Sequence, residues 1–474
     1  MDVLRLPLVG SFIRWRHSRQ LLQLGLLVVT AAVVVHGLFG PDIAPRNLST
    51  VLTSIHWRGL LVVALVVIGN MFCTACPMIL VRDAGRRMLA PRFTWPHRLR
   101  RKWLALGLLV VVLFSYELFD LWEAPAATAW LILGYFAAAL LVDLLFKGAS
   151  FCKHVCPIGQ FNFIASTMSP TELQIREGST CRGCRTFDCI KGRQTPAEPV
   201  RMVQRGCELG LFLPGKVGNL DCTLCLDCVH ACPHDNIALI TRVPALELLD
   251  TRRRSGIGRL ADRFDIAALA VVFTCAALIN AFAMTAPAVA LEGRLAAFLH
   301  VRSEAVVLGL LFVAALVVVP AVLLGGAAAV TRAVASDKAS PLHLVARRYA
   351  FALVPLGVGI WLAHYGFHLL TGVLTVVPVS QSAAVDLFGW AALGEPLWRW
   401  TGMSPGAVYP IQIGLVAIGA CGSAGLMQAI SSRDYPGMPG RASAPWIAVL
   451  VLLAVAAFWI LGQPMDMRGL GTIG

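Results

Sequence analysis

Twelve of the fourteen cysteines of this 474-residue chain lie between Cys73 and Cys232, most of them separated from the next by two to four intervening residues. Thiolates so spaced ligate soft metals. The tightest run is Cys222-Thr-Leu-Cys225-Leu-Asp-Cys228-Val-His-Ala-Cys232-Pro233. The spacing C-x-x-C-x-x-C-x-x-x-C-P suits a cubane iron–sulfur cluster: three thiolates wrap one cluster, and the fourth turns away to ligate a second. A structural zinc site rarely uses this triple spacing with a terminal Cys-Pro.

A motif that gives its fourth cysteine away demands a second set. Cys181-Arg-Gly-Cys184-Arg-Thr-Phe-Asp-Cys189, followed by Cys207, supplies it. It departs from the ferredoxin pattern twice: its third spacing is longer, and no proline follows Cys207. Exchange of fourth ligands predicts one [4Fe-4S] cluster on Cys181, Cys184, Cys189 and Cys232, and another on Cys222, Cys225, Cys228 and Cys207. Interchange of Cys189 and Cys207 is the rival assignment. Four thiolates per cluster leave no open iron, so the chemistry is one-electron relay by a carrier rather than catalysis by a stand-alone enzyme. The short apolar run Asn236–Ile240 predicts a strand beside the clusters.

Four clustered cysteines remain. Phe72-Cys73-Thr-Ala-Cys76-Pro77 and Phe151-Cys152-Lys-His-Val-Cys156-Pro157 form a weak internal repeat, as if one hairpin-plus-cysteine unit were used twice. Three readings stay open for Cys73, Cys76, Cys152 and Cys156: a third cluster or another soft metal, a thiol pair passing electrons, or packing at helix ends. Cys275 and Cys421 stand alone in apolar runs and read as core.

The elements that must carry these motifs are mostly membrane helices. The chain is 57% hydrophobic and 14% charged, with a net charge of +14. Apolar runs long enough to span a bilayer predict about nine spans, at 20–40, 59–80, 103–123, 126–147, 266–289, 304–330, 350–377, 407–430 and 445–463. The first run is too long for a signal-peptide core and lacks an A-x-A site, so it reads as a transmembrane helix. The fold class is a polytopic α-helical membrane protein with an inserted α+β, bacterial-ferredoxin-like two-cluster domain. Three regions follow: four spans in 1–147, the cluster domain in 148–262 and five spans in 263–474.

The positive charge flanks apolar runs, which favours topology over nucleic-acid binding. Arg82, Arg86, Arg87, Arg92, Arg98, Arg100, Arg101 and Lys102 follow the second span, and Arg332, Lys338, Arg347 and Arg348 follow the sixth. Loop 41–58 carries only Arg46 and Arg58. The positive-inside rule predicts a cytoplasmic N-terminus and cluster domain, and an odd span count puts the C-terminus outside.

Polar groups inside the membrane are costly and invite function. His364 and His368 share a helix face, as candidates for haem b ligation, a metal pair or a quinone site, against a plain interfacial role. His36 and His56 lie towards the same side. Glu117 and Asp120 are expected on one face of the third span, and Asp143 is expected to pair with Lys147.

Paired Cys-Pro motifs at membrane helix ends, followed by the two-cluster segment, resemble the bacterial membrane polyferredoxin group, of NosR, NapH and CcoG type. The resemblance covers about Arg58 to Pro244. It implies cluster ligation by Cys181, Cys184, Cys189, Cys207, Cys222, Cys225, Cys228 and Cys232, and matches Cys152 and Cys156, with Cys73 and Cys76 one residue closer, to the membrane-edge motif. It implies a bacterial inner-membrane protein passing electrons between a cytoplasmic donor or the quinone pool and a redox partner protein in or on the membrane. It does not include an extracytoplasmic flavin domain of the NosR type ahead of the first span. Two rival functions are a copper-reducing assembly factor acting through the four membrane-edge cysteines, and a cluster-driven, quinone-coupled transporter in the C-terminal half.

Overall fold

Apolar runs closed by capping residues become long helices in the computed structural model of the chain, which describes residues 1–195, 202–337 and 339–465. Lys338, one of the basic residues used for orientation, lies outside the described residues. Among those described, eight helices are long and apolar enough to cross a membrane: Ser18–Phe39, Leu48–Val67, Pro125–Leu145, Phe264–Ala283, Glu304–Val334, Leu342–Phe388, Pro405–Asp434 and Pro439–Leu461. The protein is therefore mostly helical and multi-pass, with a small sheet-containing region.

The expected third span is shorter than its hydropathy suggested. Trp103–Leu118 has 16 residues, a rise of roughly 24 Å against a hydrocarbon core of about 30 Å. It stops because Asp120 turns left-handed (φ 43°) and the Glu123 N–H closes a tight turn onto its carbonyl at 2.8 Å. Asp120 thus lies in a turn, off the helix face that carries Glu117. The count becomes eight long helices and one short one.

Two other boundaries move. The second span was expected at 59–80 and runs from Leu48 to Val67. Asn47 opens it, its side chain accepting from the Ser49 N–H at 2.9 Å, and Gly69 closes it with φ +77°. Ser49, Thr50, His56 and Arg58 dilute the apolar run, which hid the first turns from a hydropathy reading. Arg58 therefore lies within the helix, and Cys73 and Cys76 lie beyond its end. The 350–377 run extends over Leu342–Phe388, 47 residues. It is segmented by tight turns at Phe351–Leu353 and Val373–Thr375. Pro355 and Pro378, which have no N–H to give the preceding turn, follow each break.

The chain forms two compact units: the described residues of 1–31, 64–108 and 133–263, and those of 32–63, 109–132 and 264–474. In the first, Thr171–Ile175 pairs antiparallel with Ile237–Thr241, Leu173 opposite Leu239. Leu173, Ile237 and Leu239 share one buried face, and Glu172 and Ala238 on the other face are buried as well, so both faces of the pair are covered. Asp2 bridges Ile240 on the same edge. The segment between the two strands carries both long cysteine motifs.

In the second unit, Val354–Gly372 and Pro405–Asp434 approach backbone to backbone. A Cβ on Gly359 would stand 2.7 Å from the Leu415 carbonyl, and one on Gly419 would stand 2.6 Å from that of Pro355. Interhelical bonds satisfy some of the buried polar groups: Trp361 Nε1 donates to the Phe273 carbonyl at 2.9 Å, and Gln412 Nε2 to that of Ala363 at 3.1 Å.

Candidate metal centres

Cys181, Cys184, Cys189 and Cys232 ring one cleft in the first unit. Its open space is about 430 Å³, and Ile175, Phe187, Leu213 and Ile237 supply apolar wall. Cys181 sits on the short helix Gly178–Gly183, Cys184 caps it, and Cys189 sits on Asp188–Lys191. Asn236 serves two sulfurs: its backbone N–H donates to Cys232 Sγ at 3.4 Å, and its Nδ2 to Cys181 Sγ at 3.3 Å. Burial, and then the neighbouring thiols of Cys232, Cys181 and Cys184, push Cys189 up to about 11. The more exposed Cys184 goes the other way, lowered first by the Phe187 N–H. A soft metal relieves this crowding, because ligation replaces protons that burial makes hard to remove. The residues fit a cubane.

The second set is more deeply placed, with Cys222, Cys225 and Cys228 buried and Cys207 half-buried. Burial, then Cys207 and Cys222, raise the Cys228 thiol. Burial also raises Cys207, opposed by a Leu211 N–H donated to its Sγ at 3.3 Å and reinforced by Cys222. Cys189 therefore neighbours Cys232, and Cys207 neighbours Cys222 and Cys228.

The two motifs are built alike. Phe187-Asp188-Cys189 and Leu226-Asp227-Cys228 each set a left-handed residue (φ 55° and 65°) before a short helix that begins with Asp. Past Cys228, the Cys232 N–H donates to the Cys228 carbonyl at 3.2 Å, and the Cys207 N–H donates to the Cys189 carbonyl at 2.8 Å. The chain leaves the first motif at Gly192 (φ 82°) and returns through Met202–Gln204, paired with Arg193–Gln194. At Gly206 a Cβ would collide with the Ile190 carbonyl, so the return is tight enough to require glycine.

Cys73, Cys76, Cys152 and Cys156 also gather in the first unit. Cys76 and Cys156 both precede proline and share one extended conformation (φ −60° for each, ψ 120° and 111°). Each then opens a helix, Met78–Met88 and Pro157–Ala165. The extra residue between Cys152 and Cys156 is taken up by a π-helical turn, Phe151–Val155, where the first motif has the α-helical turn Met71–Ala75. The corners thus match despite unequal spacing. Burial, then Cys76, push Cys73 up to about 12. Burial raises Cys156 as well, with Cys73 and Cys76 adding to it. Cys152 is raised by burial, Asp143, Cys156 and Cys76. Among the described residues no three Cys, His, Asp or Glu side chains converge as ligands of a single ion do. Cubane ligands, each on a different iron, stand further apart.

Ion pairs lie beside these thiols. Arg82, 2% exposed, donates to both Glu208 oxygens at 3.2 and 2.7 Å. Arg19 donates to Asp227 at 2.7 Å and lies 3.7 Å from Glu208. Burial opposes the Glu208 charge, but Arg82 and then Arg19 bring its pKa down to about 2. Asp143 does not pair with Lys147 as expected: it accepts the Phe151 N–H at 2.8 Å and stands 3.8 Å from Arg82.

In the second unit, the His364 and His368 rings meet edge to face, with centroids 5.1 Å apart. His364 is buried, and among the described residues neither of its nitrogens has a hydrogen-bond partner, nor does Nε2 of His368. The Arg58 guanidinium lies 3.8 Å from the Tyr116 ring centroid and 5.4 Å from that of Tyr365. His36 and His56 do not join them. His36 meets Asp386 at 3.2 Å and accepts the Leu48 N–H at 3.0 Å, and His56 meets the Val51 and Val373 carbonyls at 3.2 and 3.3 Å.

No protein-family model and no solved structure matches the chain. Curated proteins do. It is 28% identical over 225 residues to the regulatory protein NosR of Pseudomonas aeruginosa, covering 43% of this chain and 29% of that protein. It is 27% identical over 192 residues to the ferredoxin-type protein NapH of Escherichia coli, covering 36% and 62%. A NapH of Haemophilus influenzae is 28% identical over 222 residues, covering 42% and 72%. Its curated homologues are thus NosR and NapH, membrane polyferredoxin-type proteins. The match takes in less than a third of the length of the NosR protein.

In this NosR/NapH relative, four groups beside the thiols escaped the sequence reading: Arg19, Arg82, Glu208 and Asp227. Arg82 read as a topology signal. The acids carried a usable hint, since Glu208 directly follows Cys207 and Asp227 directly precedes Cys228. Arg58 was missed because its helix starts earlier than hydropathy indicates.

Proposed function

We propose that the protein is a membrane-bound iron–sulfur electron carrier with two [4Fe-4S] clusters. It relays electrons between a cytoplasmic donor or the quinone pool and a redox partner in or on the bacterial inner membrane. The carrying observation is the sorting of eight cysteines into two sets of four, Cys189 beside Cys232 and Cys207 beside Cys222 and Cys228. The NapH relatives are named ferredoxin-type, which supports the same chemistry. Bound clusters supply one-electron exchange. The chain's own part is to exclude water from the deeper set, to aim N–H donors at Cys181, Cys207 and Cys232, and to offset charge with Arg19 and Arg82. The basic segment 86–102 supports a cytoplasmic placement of the cluster region. Anaerobic purification with metal and sulfide analysis tests the reading: at least about eight iron and eight acid-labile sulfides per chain are expected, and zinc in their place defeats it.

The orphaned imidazoles favour a quinone site as the membrane-side donor. A haem held by two histidines needs a second imidazole, and His36 and His56 are both engaged. Arg58 would donate to a quinone carbonyl, while His364 and His368 would accept from the quinol hydroxyls. A bound quinol would supply two electrons and two protons; Arg58 would orient it, and His364 and His368 would accept the protons of its hydroxyls. Quinol-driven cluster reduction should fall at least about tenfold in Arg58→Leu and His364→Phe with iron content unchanged. Unaltered rates would remove quinone from this site.

A further inference from the structure

We infer that Cys73, Cys76, Cys152 and Cys156 hold a third cubane iron–sulfur cluster, in electron-transfer series with the cluster of Cys207, Cys222, Cys225 and Cys228. The inference rests on the relay reading above.

All four cysteines are free of disulfides. Two matched Cys-Pro corners bring them from two chain segments to one place, and each corner opens a helix. The second helix aims donors back at both motifs: the Gly159 N–H donates to Cys156 Sγ at 3.2 Å, and Asn162 Nδ2 to Cys73 Sγ at 3.5 Å. Gln160 Nε2 donates to the Cys152 carbonyl at 3.3 Å. The oxygen ends of Asn70, Gln160 and Asn162 are buried without hydrogen-bond partners among the described residues. Each nitrogen is donated, that of Asn162 to a sulfur and those of Gln160 and Asn70 to the Cys152 and Cys222 carbonyls, while packing alone gives no reason for three buried oxygens to go unsatisfied. An anionic cluster favours donors, not oxygens, turned towards it. Arg82 and Arg19, although each is paired with a carboxylate, are the cations electrostatically coupled to Cys76.

The series arrangement is built by hydrogen bonds between the two ligand loops. Asn70 Nδ2 donates to the Cys222 carbonyl at 3.2 Å, and Thr74 Oγ1 to the Leu224 carbonyl at 2.6 Å. Cys73 thereby stands within electrostatic reach of Cys222. One electron passes from one cubane to the other, oxidising the first and reducing the second, with no proton or bond exchanged. A dithiol would instead need two electrons and two protons, and a single copper ion would need the convergent ligands that are not found among the described residues.

Iron and sulfide are counted in anaerobically purified full-length protein, with EPR after stepwise reduction. About twelve of each per chain are expected, with magnetic broadening between neighbouring reduced clusters. The double variant Cys73→Ser/Cys156→Ser should retain about eight and lose only the broadening that the third cluster adds, keeping that between the remaining two. Eight in the wild type overturns the inference, as does one copper or zinc per chain that disappears in the variant. Because the wild-type count needs no variant, misfolding of the variant leaves the inference exposed to refutation. A protein holding only the four iron that the variant loses would keep the third cluster and defeat the two-cluster relay. A protein without iron would defeat both.

Discussion

The Cys207 amide donates to the Cys189 carbonyl at 2.8 Å, repeating the bond at 3.2 Å between the Cys232 amide and the Cys228 carbonyl. Four residues on, the Leu211 and Asn236 amides donate to Cys207 Sγ and Cys232 Sγ at 3.3 and 3.4 Å. Cys207 therefore stands to the first motif as Cys232 stands to the second, although its sequence spacing conceals this. The pairing leads directly to a test of ligand exchange. In the double variant Cys181→Ser/Cys189→Ser one cluster should be lost, about four iron. In Cys181→Ser/Cys207→Ser two should be lost. The reverse pattern, read by iron analysis and EPR, would assign Cys189 and Cys207 the other way round.

Leu226 holds a left-handed conformation, φ 65°, two residues before Cys228. A side chain pays about 1–2 kcal/mol for that conformation, and glycine escapes it. Leu226→Gly should keep its clusters, while Leu226→Val, β-branched and more strongly disfavoured, should lose iron or denature earlier. Visible absorbance during thermal denaturation separates the two.

The Arg82–Glu208 pair is largely buried, and removing Arg82 leaves Glu208 only the longer contacts to Arg19 and Arg205, at 3.7 and 3.6 Å. Arg82→Met should destabilise the first unit by about 3–5 kcal/mol, read from cluster absorbance in a denaturant titration. Arg252, exposed beside Asp250 at 2.5 Å, provides the control: Arg252→Ala should change stability by less than about 1 kcal/mol.

Gly419 admits no side chain, because a Cβ would stand 2.6 Å from the Pro355 carbonyl. Gly419→Val should force Val354–Gly372 and Pro405–Asp434 apart, costing at least about 1–3 kcal/mol. Thermal aggregation in detergent should begin at a lower temperature, with iron content in the folded fraction unchanged.

In the metal-free protein Cys189 titrates at about 11 and Cys73 at about 12, through burial first and neighbouring thiols next. Both lie above the ordinary thiol value, so at neutral pH these two are protonated, and ligation must release their protons. Iron uptake by the metal-free protein should therefore strengthen as pH rises from 7 to 9, by about tenfold per unit for each proton released. A flat pH profile in a reconstitution titration would contradict the buried thiol environment.

Much of the candidate site was legible because cluster ligation is a local pattern. C-x-x-C-x-x-C-x-x-x-C-P names four candidate ligands within one short loop, and the same rule that would send Cys232 away predicts a partner set near Cys181. The Ile237–Thr241 strand falls on the apolar run expected for it, within one residue. Helix existence was equally legible from hydropathy, since bilayer thickness sets the length. Boundaries were not. The cap at Asn47 and the turns at Gly69 and Asp120 outweigh hydropathy at the ends of the second and third apolar helices, and they move Arg58 inside one and Asp120 outside the other.

By itself, then, the amino-acid sequence determined the clustered thiol motifs and the membrane class, and it prompted the proposal of two interlocked cubanes, because each is written in residues close together along the chain. Only the tertiary structure decided that Cys207 stands where Cys232 does, that Cys76 and Cys156 share a corner, and that Arg58 meets Tyr116 and Tyr365 within the second unit. Those relationships join residues far apart in sequence. They depend on backbone hydrogen bonds, a π-helical turn that absorbs one residue, and burial, none of which spacing alone encodes.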